Sequence, residues 1–363
     1  MSQENAEGSV VMVGIVHRLH SRADVLSDIM SYKFGFSKVF IYAHRKLPPL
    51  LQFFVVNVCV LIKLLLMVTK RKSKVSVCIV FSYMLTPIVF VLKKLGFIRC
   101  LVYDDADYAP IFSKNSISQA LVSFLEILGI KTAEVVISAS KALKELRTPL
   151  TANKIVHVVP NGIDKFCDVH RHSAYQGRPI DVIYLGNIDN DYIYLTNTLE
   201  AVANLCREEN IKAIIVGSGK DSVEVYRYTE KCEGIKFLGA LRRELLPLLL
   251  SSSKVGIAPY KVTGSARYGD PLKIKEYLVT TLCVAVTDIK PIRYFLAKTN
   301  SCYEIIERPS PEGITYVINR LLRKIQKDYD TLQKIHLAVR DYLCASYSWE
   351  TLAARYVRMI LKL

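Results

Sequence analysis

The stretch Arg267-Tyr-Gly-Asp-Pro-Leu-Lys-Ile-Lys-Glu-Tyr-Leu278 holds residue types that, at this spacing, suit an anionic ligand. Asp270 is a good N-cap and Pro271 a good first helical residue, so a helix is predicted to start here. Its first turn, with Leu272 and Lys273, would present unpaired N–H groups and the positive end of the helix dipole to a diphosphate. Lys273 and Glu276 lie three residues apart and therefore share a face. Glu276, about 4.5 Å further along the axis, could accept hydrogen bonds from ribose hydroxyls. The same residues also fit a capped surface helix with an i,i+3 ion pair, and spacing alone does not choose. A second group is LVYDDADYAP (101–110), in which Asp104, Asp105 and Asp107 crowd the end of an apolar run. Parallel sheets bind ligands at such strand ends. Three close carboxylates could hold Mg²⁺ there or could simply be solvated. A third is IIVGSGK (214–220), where Gly217 and Gly219 let backbone approach a ligand closely or merely make a turn.

These groups need a scaffold, and the chain alternates short apolar strands with helical stretches throughout. Strands are predicted at 10–16, 38–42, 75–81, 99–103, 135–138 and 156–159. A second series follows at 181–185, 212–216, 236–238, 255–258, 283–287 and 302–305. Two α/β sheets of similar size result, joined by the polar, turn-rich stretch 161–178. Residues 1–8 are expected to be disordered, 9–165 and 166–345 to form the two domains, and 346–363 to form a C-terminal helix that packs back on the first. Residues 316–339 read as one surface helix with mixed charges. His170 and His172 fit a solvated linker better than a metal site. His17 and His20, after the first strand, could line a cleft but fit loop or packing roles better.

A length of 363 residues exceeds what one core usually supports. With 51% hydrophobic and 23% charged residues, the chain is not intrinsically disordered over most of its length. The net charge of +16 is uneven: residues 1–165 hold 21 basic and 11 acidic side chains. Such an excess suits phosphate-bearing partners, whether nucleic acid, anionic lipid or nucleotide diphosphate. No zinc finger, helix-turn-helix or basic–aromatic repeat supports nucleic acid. None of the 9 cysteines lies in a CxxC, so they are expected to be reduced packing thiols in a cytoplasmic protein.

Residues 50–69, LLQFFVVNVCVLIKLLLMVT, are nearly long enough to cross a bilayer. Three readings stay open: a helix packed in the domain, one that also dips into a membrane interface, or a span. Lys63 near the middle and the strand-like run straight afterwards favour the first. The basic cluster Lys70-Arg-Lys-Ser-Lys74 would suit an anionic surface. The polar start MSQENAEG resembles no signal peptide.

Taken in order, VVPNGID (158–164), FLGALRRELLPLLLSSSKVGIAPY (237–260), DPLKIKEYL (270–278) and SYSWE (346–350) resemble the retaining glycosyltransferases of glycosyltransferase family 4. The resemblance is close over about residues 130–363 and one of layout before that. It implies a GT-B fold: two Rossmann-like domains facing a central cleft, with a terminal helix crossing back to the first. It implies a nucleotide-sugar donor held mainly by the second domain, and no metal requirement. Glu276 matches the second Glu of the family's pattern of two; the first would fall at 268, where this chain has Tyr268. The Arg and Lys of many relatives after the first strand of the second domain are replaced by Gly186-Asn-Ile-Asp-Asn. Lys273, with Arg267 or Lys261, is the expected counter-charge for the diphosphate, and Asp270 could take part of the missing Glu's role. The resemblance puts 101–110 beside the acceptor and reacting sugar. Asp107 then leads, with Asp104, as the group that accepts the acceptor's proton or steadies the sugar.

The expected function is transfer of a sugar, with retention, to a glycan or lipid-linked acceptor, at the inner membrane face if the protein attaches peripherally. The alternatives are a nucleotide-sugar epimerase or hydrolase on the same fold, and a non-enzymatic module that binds anionic membranes.

Overall fold

The computed structural model describes residues 10–16, 22–42, 49–71, 75–112, 115–151, 155–163, 165–168, 177–262, 264–270 and 272–362. His17, His20, His170, His172, Pro271, residues 1–8 and Lys72–Lys74 of the basic cluster lie outside them. The chain forms two compact units, one of Met1–Gly162, Tyr268–Asp270 and Trp349–Leu363, the other of Ile163–Arg267 and Pro271–Ser348.

The first unit holds a six-stranded parallel sheet in the order β2-β1-β3-β4-β5-β6. Its strands are β1 (Val10–Val16), β2 (Ser37–Tyr42), β3 (Val75–Val80), β4 (Ile98–Asp105), β5 (Val135–Ser138) and β6 (Val156–Val158). Helices α2 (Pro49–Arg71), α3 (Thr86–Lys94) and α4 (Ser116–Thr132) cover one face; α1 (Arg22–Phe34) and α13 (Trp349–Ile360) cover the other. A short α5 (Lys141–Arg147) links β5 to β6. The C-terminal helix belongs to this unit because Trp349, Leu352, Tyr356 and Ile360 are all buried in its core. The Asn161-Gly162 turn makes room for it: a Cβ on Gly162 would lie 2.5 Å from Trp349 Cδ2.

Helix α2 resolves the apolar run. Val56, Val60 and Leu64, four residues apart, are buried against the sheet. On the opposite face Leu51, Phe54, Val58, Ile62, Leu65 and Leu66 are exposed. Asn57 is accommodated because its Nδ2 donates to the Phe53 and Met84 carbonyls at 2.8 and 3.0 Å. Among the described residues no helix is long and apolar enough to cross a membrane.

The second unit has a parallel sheet in the order β12-β11-β10-β7-β8-β9. Its strands are β7 (Ile180–Asn187), β8 (Ala213–Ser218), β9 (Ile235–Phe237), β10 (Ser253–Ala258), β11 (Cys283–Thr287) and β12 (Tyr303–Ile306). Counted from β7, this is the Rossmann strand order, with its switch point between β7 and β10. Helices α6 (Leu195–Glu209) and α11 (Pro311–Lys327) share one core, with α7 (Ser222–Lys231) packed beside them. The other core takes α8 (Leu246–Ser251), α9 (Leu272–Val279), α10 (Lys290–Leu296) and much of α12 (Tyr329–Tyr347).

Two expectations change. The single helix read over 316–339 is two, interrupted at Asp328, and α11 is no surface helix, since Ile314, Val317, Ile318, Leu321 and Ile325 are buried. The cysteines are not all thiols: Cys167 and Cys344 form a disulfide with a Cα–Cα distance of 5.8 Å. Their separation of 177 residues hid the pairing from any spacing argument.

Candidate functional site

The acidic group at the end of β4 divides by partner. Asp104 is buried and takes a two-pronged bond from Arg22, Nε to Oδ1 at 2.9 Å and Nη2 to Oδ2 at 3.0 Å. Arg22 also donates to the Pro160 carbonyl at 3.0 Å, tying β4 to the turn before Asn161. Asp105 is buried too and bonded to Arg147 at 2.7 and 3.2 Å. Arg147 reaches Glu126 Oε2 at 2.7 Å and lies over the Tyr108 ring. One guanidinium thus serves two carboxylates in a dry setting. It is held firmly charged, while loss of water pushes Glu126 up to about 7.

Asp107 is different. It faces solvent, and no hydrogen bond or ion pair joins it to another described residue. Protein packed around it still limits its hydration, and with the negative Asp105 and Asp270 this pushes its carboxyl up to about 7 against the opposing pull of Arg22. Solvent contact describes the outward side of the carboxylate, and the crowding describes everything behind it. Of the two candidates, Asp104 is spent on Arg22 and Asp107 is available to a ligand.

Residues 268–270 belong to this unit rather than to the second. The Tyr268 ring meets Tyr108 edge-on at 5.4 Å, and its carbonyl accepts from the Ser140 hydroxyl. Asp270 Oδ2 accepts from the Asn161 backbone N–H at 2.5 Å, and its carbonyl from Asn161 Nδ2 at 3.2 Å. The carboxylate expected to cap the following helix therefore clamps the Asn-Gly turn.

In the second unit, the side chain of Lys273 on α9 lies at the switch point. Its Nζ is 4.5 Å from the Tyr184 ring of β7, 4.7 Å from the Tyr260 ring just beyond β10, and 3.4 Å from Tyr184 Oη. Gly186 leaves the space: a Cβ there would sit 2.5 Å from Nζ, and its φ of +144° already favours glycine. Burial lowers the ammonium to about 7, with Glu276 pulling the other way. Glu276, one turn on, is buried, and its Oε1 accepts from Arg243 Nη2 at 2.8 Å. The partner expected for an ordinary i,i+3 pair was Lys273; the ion pair observed is with Arg243, which also lies over the Phe166 ring.

The remaining candidates separate. Leu272, the first residue of α9, packs on the core that this helix covers. Arg267 is exposed at the end of the turn Gly264–Arg267, and Lys261 lies 5.8 Å from the Tyr194 ring. Gly217 and Gly219 are required by the chain itself. A Cβ on Gly217 would be 1.8 Å from the Gly186 carbonyl oxygen, and one on Gly219 would be 1.9 Å from that of Ile188. Their close approach is thus to protein backbone.

Sequence reasoning missed Arg22, Arg147, Glu126 and Arg243. Glu126 gave some signal, as the only acid in helix α4 and the only charge in its run Ala120–Ile130. The arginines gave none, because their partners lie 82, 42 and 33 positions away.

Residues 168–335 match the family model described as glycosyl transferases group 1. No curated protein matches the chain. Among solved structures, an alpha,alpha-trehalose-phosphate synthase (UDP-forming) from Burkholderia vietnamiensis is similar with a TM-score of 0.68 at 11% identity, over 99% of this chain and 100% of that one. A structure described as trehalose-6-phosphate from E. coli bound with UDP-2-fluoro glucose gives 0.69 at 11%, over 97% and 99%. The lipopolysaccharide outer core galactosyltransferase WaaB gives 0.61 at 10%, over 97% and 99%. At these identities the likeness establishes the fold, the α/β GT-B class.

Proposed function

We propose that the protein transfers a sugar from a nucleotide-diphosphate donor to a glycan or lipid-linked acceptor, retaining the anomeric configuration. The observation that carries this reading is the Lys273 ammonium at the switch point between β7 and β10, inside the segment that matches glycosyl transferases group 1. Sheets of this order bind ligands outside the carboxyl ends of the strands at that point.

Each residue then has a part. As the bond from the sugar's C1 to the diphosphate oxygen breaks, negative charge grows on the diphosphate, and Lys273, protonated once the diphosphate is beside it, stabilises that charge. Glu276, steered by Arg243, accepts hydrogen bonds from the ribose hydroxyls. The acceptor oxygen bonds to C1 on the face the diphosphate leaves, and its proton passes to Asp107. A carboxyl near 7 is well matched to that task at neutral pH. Asp104 acts indirectly, since its pairing with Arg22 fixes the end of β4.

A thermal-shift panel of UDP, GDP, ADP and their sugars tests donor binding, because a ligand of the folded state raises its stability. Product analysis by NMR then reads the anomeric configuration of any glycoside. The reading fails if no nucleotide or nucleotide-sugar stabilises the protein, or if donor is only hydrolysed or epimerised.

Attachment to an anionic bilayer is the second part of the proposal. The outer face of α2 exposes an apolar stripe from Leu51 to Leu66, and α4, on the same side of the sheet, exposes Ile117, Leu121 and Phe124. Apolar area of this extent, in a chain of net charge +16, suits a negatively charged lipid surface. Vesicle co-sedimentation should rise with anionic lipid and fall in high salt. An absence of binding at low salt would refute it.

A further inference from the structure

Cys283, Cys302 and His336 come from three elements and meet in the interior of the second unit. Cys283 opens β11, Cys302 immediately precedes β12, and His336 projects from α12. All three are buried, at 0%, 2% and 1% exposure, and their ligand atoms lie within 4.8 Å of one another. Register explains the closeness of the two thiols: β11 and β12 pair in parallel with Val284 opposite Tyr303, so the preceding residues are neighbours. The histidine is oriented independently. Its Nδ1 is 2.8 Å from the Thr281 carbonyl. A carbonyl only accepts, so Nδ1 carries the proton and Nε2 carries the lone pair. Arg178 donates to the same carbonyl at 3.1 Å, which holds that acceptor in place. Histidine ligands of metal ions are commonly fixed this way, by donating the second ring N–H to a backbone carbonyl.

We propose that Cys283, Cys302 and His336 form a binding site for one thiophilic d10 cation, Zn²⁺ or Cu⁺. Two sulfurs and one imidazole nitrogen are the donor set such ions select. On binding Zn²⁺ the two thiols release two protons to solvent, and the two thiolates neutralise the ion. That leaves no net charge in a region where an uncompensated one would be costly. Cu⁺ would be satisfied by three donors, whereas Zn²⁺ would add a water as its fourth.

The position suggests a clip rather than a catalyst. Both cysteines stand at the amino ends of their strands, the end of the sheet opposite the carboxyl ends where ligands bind. The ion would fasten the edge strand β12 and its neighbour β11 to α12, the same helix that the Cys167–Cys344 disulfide secures nearer its end. No motif pointed to this site, because no two of the three residues share a short turn.

The test uses the full chain, purified with reductant and stripped with a chelator. It is titrated with Zn²⁺, with Co²⁺ as the spectroscopic stand-in, and anaerobically with Cu⁺. The expected result is one ion per chain, a sulfur-to-cobalt charge-transfer band, and a raised melting temperature with the metal that binds. X-ray absorption of the loaded wild type should show two sulfur ligands and one nitrogen. Cys302→Ser and His336→Gln should each lose the stoichiometric ion. The double variant Cys206→Ser/Cys232→Ser, which removes the other close thiol pair, should keep it. Should Cys302→Ser fail to fold, the wild-type titration and absorption data decide alone. Substoichiometric metal, a shell without two sulfurs, retention of the ion by folded Cys302→Ser, or a Cys283–Cys302 disulfide in peptide mapping of unreduced protein would each overturn the proposal.

Discussion

Lys273→Met should abolish a proton uptake that accompanies nucleotide-sugar binding in the wild type. Burial takes the Lys273 ammonium from its ordinary 10.5 down to about 7, a bias of ~5 kcal/mol against the charged form. A diphosphate placed beside Nζ supplies the opposite charge and restores protonation. At pH 8 only about one-tenth of the free protein carries the ammonium, so binding should take up ~0.9 proton; at pH 6 uptake falls to ~0.1. The sign for affinity follows. Donor binding is strongest below about pH 7 and weakens about tenfold per unit above it, because each complex must then acquire a proton. Calorimetry in buffers of different ionisation enthalpy measures the uptake directly. A nucleotide-diphosphate sugar is the right probe, since its phosphates do not titrate near neutrality. Asp107 and Glu126 titrate in the same range, so the difference between wild type and Lys273→Met isolates the lysine. Uptake that does not vary with pH, or that survives in the variant, would refute the placement of the diphosphate at Lys273.

Three further outcomes are expected. Glu276→Ala should weaken donor binding by about 1–3 kcal/mol while the protein stays folded, and Arg243→Ala should give a smaller loss that a double-mutant cycle shows to be coupled to it. Asp107→Asn should reduce turnover far more than donor affinity in steady-state kinetics, whereas Asp104→Asn should chiefly lower the melting temperature, because breaking a buried pair costs about 3–5 kcal/mol. Gly162→Ala should destabilise the first unit by about 1–3 kcal/mol in denaturant unfolding, since the added methyl must displace Trp349.

The strands were legible because each is a short apolar run closed by a turn, and a fully buried run such as Cys283–Thr287 has few other uses. The return of the C-terminal helix to the first unit could be anticipated only through the resemblance, and its contact with the Asn161-Gly162 turn was not anticipated, since the two segments are far apart in the chain. Partners escaped altogether. Nothing in the spacing of Asp104, Asp105 and Asp107 says that two of them are committed to Arg22 and Arg147, and the distinction decides which can meet a ligand. The break at Asp328 was hidden because the buried positions keep one helical phase across it, with Ile325 and Leu332 seven residues apart. The assignment of 268–270 to the second domain failed for a similar reason. Sequence proximity to α9 suggested one element, while the hydrogen bonds of Tyr268 and Asp270 run to Ser140 and Asn161.

Two departures from the pattern of the family that the sequence resembles have structural counterparts, one in each unit. Where many relatives carry cations after the first strand of the second domain, this chain has Gly186, and the space so left is filled by the Lys273 ammonium. A side chain at 186 would displace the Lys273 ammonium from this position and would be strained at a φ of +144°. Where the pattern expects a Glu, Tyr268 has no carboxylate to offer; its ring meets Tyr108, which lies in turn against Arg147. Arg147 is bound to Asp105 and Glu126, so position 268 buttresses the acidic cluster whose free member is Asp107.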